Sequence, residues 1–431
     1  MGEIKVEVIS RDTIKPSSPT PAHLRHFQLS FLDQTLTPIL MPIILFYPMD
    51  GDVTVDSVER LVWLKKTLSK TLIQFYPLAG RVKDNLFIDC SDQGVPYLEA
   101  QVKCQLSEFT CHPDPMQLTK FLPYAPDNIV DLVLAIQVNI FECGGIAIGV
   151  CISHKVADAL SLVMFVNGWA AVARRAADVL YPQFGLANIF PPINLSGFNP
   201  STGITKEKIV TKRFVFSTSS VAALREKYAD HNTTEDLPRR PTRIEALSAF
   251  IWSRFVAVTH GMADPKRVYT ILHAVNLRTR MDPPLPENYF GNIIRFVITT
   301  PSMDGMKEEP CHALVNQMRE AIEKIDGDYI KNLRKGVEHL NFLKERAERF
   351  TKGEIESFRF TSLCRFPLYE ADFGWGKPIW VGSASLPFKN LVVFMDSSGS
   401  NGGMEAWINL VEEDMGKFQE DKEFLSFVSP T

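Results

Sequence analysis

The chain has 431 residues, of which 45% are hydrophobic and 22% charged, the composition of a globular protein with a sizeable core. At roughly 150 residues per domain, this length predicts two or three domains. The 46 basic and 50 acidic residues give a net charge of −4, which excludes a general electrostatic attraction to nucleic acid or to an acidic membrane.

Cysteine usage and the apolar segments narrow the class of protein further. The seven cysteines include no CxxC pair, which argues against a disulfide framework and a structural zinc site, so we expect no metal. The opening MGEIKVEVIS lacks the apolar region of a secretory signal. Apolar runs such as PILMPIILFYP are shorter than the roughly 18 residues of a membrane span. We therefore expect a cytoplasmic protein without a membrane partner.

The first part of the chain mixes helix and strand signals. Apolar residues at helical spacing predict a helix within residues 55–81, ending at Pro77 and Gly80. Residues 131–154 predict a β-hairpin with ECGG as its turn. The second strand of that hairpin ends at His154, and an amphipathic helix is predicted across residues 157–176.

An irregular stretch, residues 182–208, is long enough to connect two domains. We therefore predict domains at 1–181 and 209–431. Beyond the connection we predict a strand at 208–216, a helix N-capped near Thr242, two further strands, a long polar helical region across about 311–350 and a closing hairpin. Each half mixes sheet and helix, which indicates an α/β fold.

His154 and Asp158 form an HxxxD pair at the junction between the predicted strand and helix. Side chains at such junctions often point into clefts, which makes His154 a candidate catalytic base. A core histidine bonded to a backbone carbonyl is the alternative, and the local pattern leaves both open. A second HxxxD match, His260 to Asp264, lies at the end of a predicted helix, where a histidine interacts favourably with the helix dipole.

Motifs for several other chemistries are missing. The sequence contains no GxSxG, no GxGxxG after a strand, no Walker A motif and no HExxH. Phosphate chemistry on nucleotides and metal-dependent hydrolysis therefore have no support. The stretch DFGWG, from Asp372 to Gly376, has a tryptophan between glycines and predicts a tight loop anchored by two aromatic side chains.

Taken together, HKVAD and DFGWG resemble the signature pair of the plant BAHD acyltransferases. The segments YFGN (residues 289–292), FYPLAGR (75–81) and NLRTRMDPPLP (276–286) are also similar to family segments, and the resemblance spans the whole chain. PSSPTP, LSFLDQ and FECGG are most similar to the subgroup that contains vinorine synthase and salutaridinol acetyltransferase.

The resemblance implies two mixed-sheet domains, each like chloramphenicol acetyltransferase, joined by the crossover loop at 182–208, with a channel between them that contains His154. It implies a monomeric enzyme that uses an acyl-CoA, in the first instance acetyl-CoA, as co-substrate and binds no permanent cofactor. Its small-molecule acceptor would be an alkaloid-like plant metabolite, acylated on a hydroxyl. N-acylation of an amine, or a relative that binds or cyclises a metabolite without acylating it, remain alternatives.

The same resemblance assigns roles to individual residues. His154 would be the general base, because an imidazole titrates near neutral pH. Asp158 would turn away from the substrate and pair with Arg278, which structures the site. Asp372 is carried over as catalytic because the family's motif is essential, although we expect it to hold a loop together with Trp375.

Stabilising the oxyanion needs a hydrogen-bond donor, and binding the phosphates of CoA needs positive charge. Several family members have Thr-Ser-Trp before the DFGWG stretch, whereas this chain has Leu363 in place of the tryptophan, so Thr361 is the candidate for stabilising the oxyanion. The phosphates of CoA favour positive charge and helix N-termini. On that basis the candidate CoA contacts are Lys212, Arg213, Thr242 and Arg243, with a solvated basic surface as the alternative for each.

Overall fold

The computed structural model describes residues 3–49, 57–111, 113–128, 131–230, 240–259, 267–301, 311–398 and 402–429. The chain forms two compact units. The first unit comprises Met1–Ser201, Leu285–Ile293 and Phe366–Leu386, and the second comprises Thr202–Pro284, Ile294–Arg365 and Pro387–Thr431. Each unit contains a six-stranded mixed sheet together with helices, which confirms the predicted α/β class.

Strands and helices are interspersed along both units. In chain order the strands are β1 (Val6–Ile14), β2 (His26–Gln28), β3 (Leu40–Tyr47), β4 (Arg81–Lys83), β5 (Phe87–Asp89), β6 (Val95–Val102), β7 (Leu134–Phe141), β8 (Ile146–Ser153), β9 (Ile209–Phe216), β10 (Val268–Asn276), β11 (Ile294–Thr299), β12 (Ile355–Ser362), β13 (Trp380–Gly382), β14 (Leu391–Asp396) and β15 (Met404–Val411). The α-helices are α1 (Phe31–Thr35), α2 (Ser57–Gln74), α3 (Leu106–Cys111), α4 (Ala159–Ala173), α5 (Leu186–Ile189), α6 (Thr218–Lys227), α7 (Arg243–Thr259), α8 (Cys311–Glu323), α9 (Gly327–Leu333), α10 (Val337–Thr351), α11 (Glu412–Phe418) and α12 (Lys422–Leu425).

The main sheet of the first unit has the strand order β1-β6-β7-β8-β3-β13. Strands β7 and β8 form the predicted antiparallel hairpin around Glu142–Gly145. All eight residues of β8 are buried, so both faces of the sheet are covered along this strand. The chain leaves β8 after Ser153 and enters α4 at Ala159, so the junction predicted at His154 is confirmed.

The sheet of the second unit has the order β11-β10-β12-β14-β15-β9. Helix α7 packs its apolar face on this sheet, where Trp252 and Phe255 contact Phe358 with ring centroids 5.7 and 4.8 Å apart. The polar region at 311–350 is helical as predicted, but it is divided into α8, α9 and α10. Asp326 caps the start of α9, and Gly336, with a φ of 76°, precedes α10.

The DFGWG stretch lies within the domain predicted at 209–431, but its residues group with the first unit. Residues Phe366–Leu386 belong to the first unit, where β13 pairs antiparallel with β3 and places Trp380 opposite Phe46. The two rings lie 5.1 Å apart, and Trp380 is buried. The first change of unit follows Ser201, within the predicted crossover at 182–208, but two later segments return to the first unit.

Within the described ranges, no helix is both long and apolar enough to cross a membrane.

The strand that leads to His154 passes very close to a neighbouring backbone. A Cβ on Gly149 of β8 would lie 2.1 Å from the carbonyl oxygen of Phe121. We predict that Gly149→Ala lowers the free energy of unfolding by about 1–3 kcal/mol, because the backbone must move to admit the methyl group. Urea denaturation measures this.

Gly327, at the start of α9, provides a matched control. A Cβ there would meet no atom within 4 Å, so Gly327→Ala should leave the stability unchanged or slightly raised. Equal stability of Gly149→Ala and the unmodified protein would contradict the close packing of β8.

Candidate active site

His154 lies in the short link between β8 and α4, and its side chain is partly exposed. The backbone N–H of His154 donates to the carbonyl oxygen of Ile39 at 2.9 Å, which continues the pairing with β3 by one residue. On the ring, Nδ1 lies 3.1 Å from the carbonyl oxygen of Ala157 and 3.0 Å from Oδ1 of Asn292. The ring is therefore held from one side.

These contacts determine which ring nitrogen carries the proton. The Asn292 amide is oriented by its Nδ2, which donates to Oδ1 of Asp33 and to the backbone oxygen of His154, each at 2.8 Å. Oδ1 of Asn292 consequently faces His154, and both neighbours of Nδ1 are acceptors. A neutral imidazole has one donor and one acceptor nitrogen. Nδ1 therefore carries the proton, and Nε2 has the lone pair.

Nε2 of His154 has no hydrogen-bond partner in the described part of the chain. Burial lowers the pKa of His154 below its ordinary value, while the Ala157 carbonyl, Asp158 and Asn292 act in the opposite direction. The balance keeps the ring neutral at physiological pH, as a general base requires. This geometry favours the catalytic reading of His154 over the core histidine, although Nδ1 does bond a backbone carbonyl.

Asp158 does two structural tasks beside the histidine. Its Oδ1 caps α4 by accepting from the N–H of Ser161 at 2.9 Å, and its Oδ2 accepts from the N–H of Ile293 at 3.1 Å. It is almost fully buried. Asp158 thus ties the helix to the segment Leu285–Ile293 that contains Asn292, and its predicted pairing with Arg278 stays a prediction.

Arg278 and Thr361 belong to the second unit. Arg278 is buried in a short 3₁₀ turn after β10, with Nη1 3.4 Å from Oδ1 of Asn276. Thr361 is half-buried on β12, opposite Val393 of β14. The oxyanion role of Thr361 stays a prediction.

Asp372 organises the DFGWG loop. Its Oδ1 accepts from the N–H groups of Gly374 and Gly376 at 2.8 and 3.0 Å. The two glycines have φ values of 105° and 98°, which side-chain-bearing residues rarely adopt. Trp375 stacks on Phe373 at 5.7 Å. These contacts support the expected loop role of Asp372 and Trp375, and they give no support to the catalytic assignment of Asp372.

The first pair of predicted CoA contacts is divided by its strand. Lys212 and Arg213 are consecutive on β9 and therefore point to opposite faces of the sheet. Arg213 pairs with the buried carboxylate of Glu405 at 2.6 Å, and Lys212 donates to Gln419. Nothing in this arrangement supports a joint phosphate site at these two residues.

The second pair lies at the start of α7. Thr242 caps the helix as predicted, because its Oγ1 accepts from the N–H of Glu245 at 3.2 Å and its own N–H donates to the Glu245 carboxylate at 2.8 Å. Arg243 lies 3.3 Å from Asp396, and both side chains are about one-third exposed. Arg243 remains accessible to an anionic ligand.

The second HxxxD match, His260 to Asp264, lies outside the described residues. Among the residues that are described, no three His, Cys, Asp or Glu side chains are arranged to hold a metal ion.

Asn292 is the site residue that sequence reasoning left without a role. Its signal was the YFGN segment, but the contact with His154 spans 138 positions of the chain.

The sequence profile of the Transferase family matches residues 4–425. The chain belongs to this family. It is 40% identical to stemmadenine O-acetyltransferase of Catharanthus roseus over 98% of both chains, and 37% identical to vinorine synthase of Rauvolfia serpentina over 95% of both. This confirms the resemblance to BAHD acyltransferases, and the protein is an acyltransferase.

Solved structures agree with this assignment. The crystal structure of vinorine synthase superposes with a TM-score of 0.83 at 35% identity and covers 99% of both chains. Fusarium graminearum TRI101, solved with coenzyme A and deoxynivalenol, has a TM-score of 0.72 at 18% identity, covering 94% of this chain and 99% of that one. At that identity TRI101 supports the fold alone.

The lowered pKa of His154 predicts the pH dependence of the enzyme. A base works only when deprotonated, so kcat/KM should fall about tenfold per pH unit below the pKa of His154 and be flat above it. Because burial lowers that pKa, the fall should begin below the ordinary value of about 6.5. Initial rates between about pH 5 and pH 8.5 test this.

Lys155 provides the control for that profile, since burial lowers its pKa to about 7. Its Nζ donates to the backbone oxygen of Gln34 at 2.8 Å. Lys155→Met should leave the acidic limb in place. A limb that disappears in Lys155→Met, or rates that still rise tenfold per unit above about pH 7, would contradict the assignment to His154.

Proposed function

We propose that the protein is an acyl-CoA-dependent O-acyltransferase that transfers an acetyl group to a hydroxyl of an alkaloid-like plant metabolite, with His154 as the general base. The observation that carries the proposal is the ring of His154, which is partly exposed, has its Nδ1 proton engaged and presents an unprotonated Nε2. The identity to an O-acetyltransferase over nearly the full chain supports the acetyl group and the hydroxyl acceptor.

The chemistry uses one proton twice. Nε2 of His154 removes the proton from the acceptor hydroxyl as its oxygen attacks the thioester carbonyl. The tetrahedral intermediate then collapses, the C–S bond breaks, and the imidazolium returns the proton to the departing CoA thiolate. The products are the ester and free CoA, and the histidine ends neutral. General-base catalysis of this kind typically contributes about 10²–10⁴-fold.

Arg243 and Thr361 complete the proposal. Arg243 is accessible beside the capped N-terminus of α7, which supports a contact with a phosphate of CoA. The hydroxyl of Thr361 is the proposed donor to the oxyanion of the intermediate.

We predict that His154→Ala lowers kcat by about 10²–10⁴-fold or more, because the general base is lost. CoA binding should survive, because the proposed contacts of the CoA phosphates do not involve His154. Release of free thiol from acetyl-, benzoyl- and coumaroyl-CoA, with a panel of alcohols and amines, measures transfer. Calorimetric titration with CoA measures binding.

His23, which is exposed in a 3₁₀ turn, provides a matched histidine control, and His23→Ala should keep full activity. Undiminished acyl transfer by His154→Ala would refute the assignment of His154 as the general base. Transfer to amines alone would mean that the product is an amide rather than an ester. If no alcohol or amine in the panel gives thiol release, both O-acylation and N-acylation are refuted.

A further inference from the structure

We propose that Asp33, in the segment LSFLDQ, is a positioning residue for acyl transfer that acts on His154 through Asn292. The inference rests on the proposed function for its effect on rate, but not for its effect on the histidine ring. Asp33 touches no reacting atom in this scheme. Together with the backbone oxygen of His154, which also accepts from Nδ2 of Asn292, it determines which end of the Asn292 amide faces the imidazole.

The carboxylate of Asp33 is surrounded by donors. Its Oδ1 accepts from the backbone N–H of Asn292 at 3.0 Å and from Nδ2 of Asn292 at 2.8 Å. Its Oδ2 accepts from the N–H and the hydroxyl of Ser30 at 2.9 and 2.6 Å. Both oxygens are thus fully used as acceptors, which is the pattern of an ionised carboxylate. Asp33 therefore fixes Asn292 at two points.

The direction of the Asn292 amide has a chemical consequence. With Nδ2 on Asp33, Oδ1 of Asn292 accepts from Nδ1 of His154. If the two ends of the amide were exchanged, Nδ2 would face Nδ1 of His154 and would favour the tautomer with its proton on Nε2. That tautomer cannot accept a proton from the substrate. Asp33 therefore favours the basic tautomer of His154, in addition to the Ala157 carbonyl that also faces Nδ1.

Helix capping alone does not account for this carboxylate. Asp33 lies within α1, a helix of five residues, and only 3% of its surface is exposed. Burial raises its pKa, and hydrogen bonds from Ser30 and Asn292 oppose that rise. Exposed side chains cap other helices of this protein, such as Asp326 at α9, without the desolvation cost of a buried charge. The buried position places the charge against Asn292.

A double-mutant cycle on kcat tests whether Asp33 acts through Asn292. Asp33→Ala and Asn292→Ala should each lower kcat by about 10–100-fold with KM little changed. We expect less than the roughly 10⁴-fold lost with the wrong tautomer in a serine-protease triad, because the Ala157 carbonyl still faces Nδ1. The kcat of the double variant should lie within about twofold of the kcat of Asn292→Ala.

The matched control is Asp92→Asn. Oδ2 of Asp92 accepts from the N–H of Thr20 at 2.9 Å and Oδ1 from its hydroxyl at 2.6 Å, so Asp92 binds the same two kinds of donor that Asp33 binds on Ser30. Asp92→Asn should keep the kcat of the unmodified enzyme. The proposal would be overturned if the fold-losses in kcat of the two single variants multiply in the double variant. An unchanged kcat in Asp33→Ala would also overturn it.

A readout independent of turnover uses nitrogen NMR of the ¹⁵N-histidine-labelled protein, with the His154 signals identified by their loss in His154→Gln. The unmodified protein should show a protonated Nδ1 and an unprotonated Nε2. Asp33→Asn should show a mixture of tautomers, because its side chain has one acceptor oxygen for the four donors that Asp33 binds. This variant also replaces Asp33→Ala if that variant fails to fold. The same single tautomer in both proteins overturns the proposal. A shift in tautomer in Asp33→Asn, with no acyl transfer by the unmodified protein to any acceptor, would support the effect of Asp33 on the histidine ring and refute the proposed function.

Discussion

One hydrogen bond, from Nδ1 of His154 to Oδ1 of Asn292, decides what the histidine can do. Its length is 3.0 Å, and the carbonyl of Ala157 reinforces it at 3.1 Å. Because a neutral imidazole has a single lone pair, engaging the Nδ1 proton leaves that lone pair on Nε2. The lowered pKa keeps the lone pair unprotonated. A partly exposed ring in this state can accept a proton from an alcohol.

The fold is arranged to hold that bond. Asn292 lies in the nine-residue segment Leu285–Ile293, which returns to the first unit from within the second half of the chain. Asp158 binds the N–H of Ile293 and Asp33 binds Asn292, so two buried carboxylates hold the segment beside β8 and α4. The aspartate of HxxxD thus uses both carboxylate oxygens to accept from backbone N–H groups beside the histidine.

Much of the local structure was predictable because it depends on short-range patterns. The hairpin of β7 and β8, the start of α4 after Asp158 and the cap of α7 at Thr242 follow from alternation and capping residues that are close in sequence. The divergence of Lys212 and Arg213 was also predictable, since neighbouring residues of a strand point to opposite faces.

The long-range contacts were not predictable from such patterns. Strand β13 is three residues long, and its pairing with β3 joins positions more than 330 apart, so no local signal places DFGWG in the first unit. The role of Asn292 likewise depends on a contact that spans 138 residues. Motif resemblance identified both segments, but hydrogen-bond geometry was needed to give Asn292 its task and to show Asp372 binding its own loop.

Carbethoxylation with diethyl pyrocarbonate at neutral pH, followed by peptide mapping, tests the central claim that His154 presents a reactive, unprotonated Nε2. The account predicts that Nε2 of His154 is modified, that activity falls in proportion to that modification, and that CoA with an acceptor slows both. Full activity in a population whose His154 is completely modified, or modification on Nδ1, would contradict it.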